Sequence, residues 1–70
     1  MNDSDMKRIE AHLKRTFNAG GIVVKPRPKV TDSAEVYVGD EFIGVVFDDE
    51  DEDASFMFEM AILAEDLSPA

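Results

Sequence analysis

Seventy residues make one domain, and a chain this short buries only about 60% of the surface its unfolded form exposes, so its stability is marginal unless something adds to it. The absence of cysteine excludes a disulfide framework and a thiolate zinc site, and fits a reducing cytoplasm. A formal net charge of −9 opposes nucleic acid and anionic lipid, and no apolar run approaches the ~20 residues of a membrane span.

The opening Met-Asn-Asp-Ser-Asp is acidic and polar, the reverse of a secretory leader, so a cytoplasmic protein without membrane contact is expected. Charge is unevenly placed. Residues 1–30 carry seven Lys/Arg and three Asp/Glu, whereas residues 31–70 carry thirteen acids and no Lys or Arg. We read this as a basic helix and first strand compensating an acidic remainder within one molecule. Oligomerisation is the common remaining route to stability for a small domain without staples.

In chain order, Asn2, Asp3, Ser4 and Asp5 are N-cap candidates for a helix over residues 4–17. Met6, Ile9, Leu13 and Phe17 form its apolar stripe, with Asp3–Lys7 and Glu10–Lys14 as i,i+4 pairs on the wet side. Asn18-Ala19-Gly20-Gly21 supplies the stop. His12 lies at the edge of the stripe, with no second His or Cys to share a metal, and is read as a boundary residue.

Residues 22–29 begin β-branched and are then interrupted by Pro26 and Pro28. Alternate residues of a strand direct their N–H groups to the same side, so the prolines remove donors from one edge and predict an edge strand. Lys25, Arg27 and Lys29 also alternate and form a candidate anion or nucleic-acid strip beside the helix cations Lys7, Arg8, Lys14 and Arg15. No aromatic residue interleaves with them to stack bases, so nucleic acid is a minor reading.

After a connection at residues 30–33, residues 34–47 predict a β-hairpin turning at Gly39-Asp40, with Gly39 at the positive-φ position of a type II′ turn. The simple register sets Val38 against Glu41, Tyr37 against Phe42, Val36 against Ile43 and Ala34 against Val45. One face then carries Ala34, Val36, Val38, Ile43, Val45 and Phe47. The other carries Glu35, Tyr37, Phe42, Gly44 and Val46, with Tyr37 leaning over Gly44.

Six consecutive acids follow at residues 48–53. Asp49, Asp51 and Asp53 match the opening of an EF-hand loop, but Ala54 stands where the tight-turn glycine belongs and Met60 where the bidentate glutamate belongs. The run is read as a solvated, self-repelling loop, with weak divalent-cation binding as the alternative. Residues 55–63 predict a fourth strand, with Phe56, Phe58, Met60 and Ile62 on one face and Met57, Glu59, Ala61 and Leu63 on the other; helix is the competing reading. Residues 64–67 can make a final turn. Residues 1–3 and 68–70 are expected to be loose ends.

The expected architecture is α+β, one N-terminal helix packed on one face of a small four-stranded antiparallel sheet. Catalysis is not expected. Ser4, Ser33, Ser55 and Ser68 have only His12 as a base, the clustered carboxylates lie in water, and no glycine-rich phosphate loop opens a helix. No cofactor is implied. One helix covers one sheet face, which leaves Val46, Met57, Ala61 and Leu63 without cover and a fourth-strand edge guarded only by Glu59. These residues, with Met60, are the candidate contact surface of a protein-interaction module that forms a homodimer or receives another protein's strand.

Asp-Ser-Ala-Glu-Val-Tyr-Val-Gly-Asp-Glu-Phe-Ile-Gly-Val-Val-Phe at residues 32–47, Asp-Glu-Asp-Glu-Asp at 49–53 and Phe-Glu-Met-Ala-Ile-Leu at 58–63 carry a family likeness. So does Lys-Arg-Ile-Glu-Ala-His-Leu-Lys-Arg-Thr-Phe at 7–17. Over nearly its whole length the chain resembles domain-of-unknown-function family 3126, small alphaproteobacterial proteins. The resemblance implies a short bacterial protein with no catalytic residues to carry over.

Overall fold

The computed structural model describes residues 1–67, and the tail expected at residues 68–70 lies outside them. Helix α1 spans Asp3–Phe17, β1 Ile22–Arg27, β2 Val30–Val38, β3 Glu41–Asp48 and β4 Phe56–Glu59, with a short 3-10 turn at Ala64–Asp66. The four strands form one antiparallel sheet in the order β1-β2-β3-β4, as the α+β reading anticipates.

Asn2 is the helix cap, its side-chain oxygen accepting the Asp5 N–H at 2.7 Å, and Asn18 closes the other end in the left-handed conformation (φ 51°). Met1 packs against the core, so the N-terminal end is part of the fold rather than a loose segment. Met6, Ile9 and Leu13 are buried as their spacing requires. Burial of each such side chain contributes about 1.5–3 kcal/mol. Ion pairs on the wet side join Lys14 to Glu10 (3.3 Å) and Arg8 to Asp5 (2.7 Å), the latter in place of Asp3–Lys7. The core is completed from the sheet by Ile22, Ala34, Val36 and Val46.

β1 ends at Arg27, because Pro28 and Lys29 form the turn into β2, where the fixed φ of proline is pre-set for a tight turn. Strand β2 therefore begins at Val30, inside the expected connection. Arg27 pairs with Val30 and Pro26 with Ala34, so residues 31–33 are extra on the β2 side. The second hairpin turns at Gly39-Asp40 as expected, Gly39 alone of the two having positive φ (60°).

Beyond Tyr37–Phe42 the register departs from the simple expectation. Val36 pairs with Gly44, Glu35 with Val45 and Ala34 with Val46, leaving Ile43 as a β-bulge. A one-residue insertion exchanges the faces of everything that follows. Val46 accordingly points at the helix and is 2% exposed, which corrects its assignment to the open face; Val45 and Phe47 take its place there. Gly44 is buried beneath Phe58, whose ring occupies the space expected for Tyr37. Tyr37 instead meets Phe42 edge-on, with ring centroids 5.6 Å apart.

β4 is also shorter than expected. It pairs with β3 from Phe56–Asp48 to Glu59–Val45, and Met60 would next meet the bulged segment at Gly44, where the ladder is disrupted. Residues 60–63 therefore continue outside any strand, while Ala64–Asp66 makes the final turn.

Candidate functional site

The two edges of the sheet differ. On β1 every outward donor is accounted for: Ile22 N–H reaches the Ala19 carbonyl at 3.4 Å, Val24 N–H reaches a Glu10 carboxylate oxygen at 2.9 Å, and Pro26 has none. The Val24 bond, followed by Lys14, holds the Glu10 carboxyl below the usual glutamate range despite its partial burial. Edge-strand protection is thus built from one helix carboxylate and one proline.

Among the described residues no comparable guard lies on β4. The Ser55 carbonyl accepts from Asp49 N–H at 3.0 Å, and the Glu59 carbonyl lies against Gly44, so residues 55, 57 and 59 address β3. Strand alternation then turns the N–H and C=O groups of Phe56 and Phe58 away from the sheet. No strand among the described residues lies on that side.

Beside this edge is an apolar surface. Met57 is 47% exposed, Met60 53%, Ile62 68%, Leu63 51% and Leu67 62%, and Glu59 and Ala61 are exposed among them. The six expected contact residues are Val46, Met57, Glu59, Met60, Ala61 and Leu63; the structure brings all but Val46 to the surface. Phe42, 50% exposed, joins Val45, Glu59, Met60 and Ala61 around a shallow groove on the open face. Sequence reasoning missed Phe42, Ile62 and Leu67. The sequence places Ile62 on the inner face of a strand that stops at Glu59, and Phe42 on the open face, where the bulge adds Val45 to its groove.

The open face is divided. On its β1–β2 half, Lys25 Nζ stands 4.6 Å from the centroid of the Tyr37 ring, and Tyr37 donates to a Glu35 carboxylate oxygen at 3.1 Å. That hydrogen bond raises the Tyr37 pKa above the ordinary phenol value. Arg27 donates to Ser33 Oγ at 3.0 Å. Lys25 and Arg27 are therefore engaged on the face opposite α1, and Lys29 sits in the turn, so they do not join the helix cations in one strip. On the β3–β4 half, Phe47 and Met57 lie beside the acidic loop, while Val45 lines the groove between Phe42 and Met60.

The acidic loop folds on itself: Asp51 N–H donates to Asp49 Oδ1 at 2.9 Å and Ser55 N–H to the Glu52 carbonyl at 3.3 Å, with Ala54 at φ 60°. Asp49, Asp51 and Asp53 are not gathered, since among the described residues no three His, Asp or Glu side chains are placed to hold one ion. His12 is exposed, 3.3 Å from Thr16 Oγ1. No described helix is long and apolar enough to cross a membrane.

No curated protein and no solved structure matched the chain. A match does cover the helix, the sheet and the acidic loop together, over residues 5–66, and the chain therefore belongs to the family described as Protein of unknown function (DUF3126).

Proposed function

We propose that this chain is a non-enzymatic protein-interaction module that self-associates, and that its contact surface is β4 with the residues after it and the β3–β4 half of the open face. The observation that carries this reading is the difference between the edges. β1 is closed by Glu10 and Pro26, while β4 offers unpaired backbone beside Met57, Met60 and Leu63. The absence of catalysis is part of the same reading, because exposed His12 has Thr16 as its side-chain neighbour, and of the carboxylates of residues 48–53 five are exposed while Asp49 accepts from Asp51 N–H within its own loop.

Light scattering across a wide concentration range tests it, with Met60→Lys alongside. The wild type is expected to reach twice its chain mass of 7.8 kDa, and the variant to stay a folded monomer. A wild type that stays monomeric at every concentration sinks the self-association.

A further inference from the structure

We infer that two copies of this chain join their β4 strands antiparallel about a two-fold axis at Phe58, extending each four-stranded sheet into one continuous sheet with both α1 helices on the same face. The inference rests on the self-association reading and gives it a partner, a symmetry and a register.

Symmetry follows from the edges. Pairing β4 of one copy with β1 of the next would be heterologous and would propagate into a filament. That route is closed, because Ile22 and Val24 have already spent their outward N–H groups and Pro26 has none. The edge of this fold left for a second β4 is another β4, and such a contact is isologous and stops at a dimer. Charge sets the direction. Residues 48–53 stand at the start of β4, so a parallel alignment would bring two acidic loops together, whereas the antiparallel one sends them to opposite ends of the joined sheet.

Register follows from parity and from Glu59. Outward-facing Phe56 and Phe58 must meet outward-facing residues of the other copy. Sliding toward the C-terminus sets Glu59 directly against Glu59 of the partner copy, and like charges directly opposed are destabilising. Sliding toward the N-terminus sets Glu59 against Ser55, two residues from Asp53, and so moves Glu59 toward the other copy's acidic loop. Centring on Phe58 places Met57 opposite Glu59 and Phe56 opposite Met60. Met60 follows β4 directly and shares the outward parity of Phe56 and Phe58, so it continues the same edge.

The chain has no cysteine, which makes disulfide trapping clean. Met57 and Glu59 are exposed on the open face, so Met57→Cys and Glu59→Cys leave the core untouched. In the centred register they form a pair without mutual backbone hydrogen bonds, with Cα atoms about 4.5 Å apart, within disulfide reach. A mixture of the two variants under mild oxidation is expected to give at least ten times the disulfide-linked dimer that either variant gives alone. A cysteine-free chain that is dimeric by light scattering, with a mixture that cross-links no better than the single variants, overturns the β4 pairing and leaves self-association standing. A monomer at all concentrations overturns both.

Discussion

Val24 N–H donates to the Glu10 carboxylate at 2.9 Å, and this bond ties the middle of α1 to the free edge of β1. It does two things at once: it docks the helix on the sheet and it removes a donor from an exposed edge. A hydrogen bond to a charged acceptor contributes about 1.5–3 kcal/mol, and partial solvent access to Glu10 brings the figure to the lower end. Glu10→Ala is expected to lose about 1–2 kcal/mol in urea denaturation, whereas Glu10→Gln, which keeps an acceptor oxygen, loses less. Equal losses in both variants would assign the effect to charge alone.

The same bond makes a pH prediction. Because the Val24 N–H, and then Lys14, lower the Glu10 pKa in the folded state, the unfolded chain takes up this proton first as acid is added. The contribution is therefore complete above the ordinary glutamate value and is lost as pH falls through the lowered folded value. The stability gap between wild type and Glu10→Gln should be constant near neutrality and close in acid. Denaturation curves at a series of pH values measure it, and a gap that widens in acid would reverse the sign of the linkage.

Gly44 of β3 lies close under Phe58 and Glu59 of β4. A methyl group there would press on the Glu59 carbonyl and lie 2.7 Å from Phe58 Cε1. Gly44→Ala is expected to cost about 1–3 kcal/mol and to speed amide exchange in the β3–β4 ladder ahead of β1–β2. Gly20→Ala, where an added Cβ meets nothing within 4 Å, is the control and should change stability by less than about 0.5 kcal/mol.

Helix α1, the edge position of β1 and the Gly39-Asp40 turn were legible because each rests on a local rule: apolar spacing, proline at an edge, glycine at positive φ. What was misread begins at Ile43. Period-2 alternation assumes equal residue counts on both strands, and one extra residue exchanged Val46 for Val45 on the open face and ended β4 at Glu59. A signal was present in Gly44, since a lone glycine inside a strand pattern often marks a bulge or a close approach, and here it marks both. The exposure of Met57, Met60 and Leu63 was legible because one helix covers only one face of a sheet.

Ala54 holds φ 60° just before β4, a conformation that costs a side chain about 1 kcal/mol or more and that glycine adopts freely. The strain sits where the acidic loop must turn back so that Asp49 N–H meets the Ser55 carbonyl. Ala54→Gly should therefore stabilise the chain by about 0.5–1 kcal/mol, the gain being trimmed by the greater freedom of glycine in the unfolded state. A thermal melt reads the result, and a lower melting temperature would mean that the loop does not require this backbone geometry.

Val46 and Val45 offer the sharpest test of the bulge, since they are adjacent, chemically identical and assigned to opposite faces. Val46 is 2% exposed between Ala34 and Phe58, while Val45 lines the open groove beside Met60. Truncating a buried branched side chain leaves a cavity as well as losing transfer energy, so Val46→Ala is expected to cost about 2 kcal/mol in urea. Val45→Ala should cost under about 1 kcal/mol and show itself instead as weaker self-association, because Val45 belongs to the proposed contact surface. In a register without the bulge the two effects would trade places, and that exchange would return Val46 to the open face.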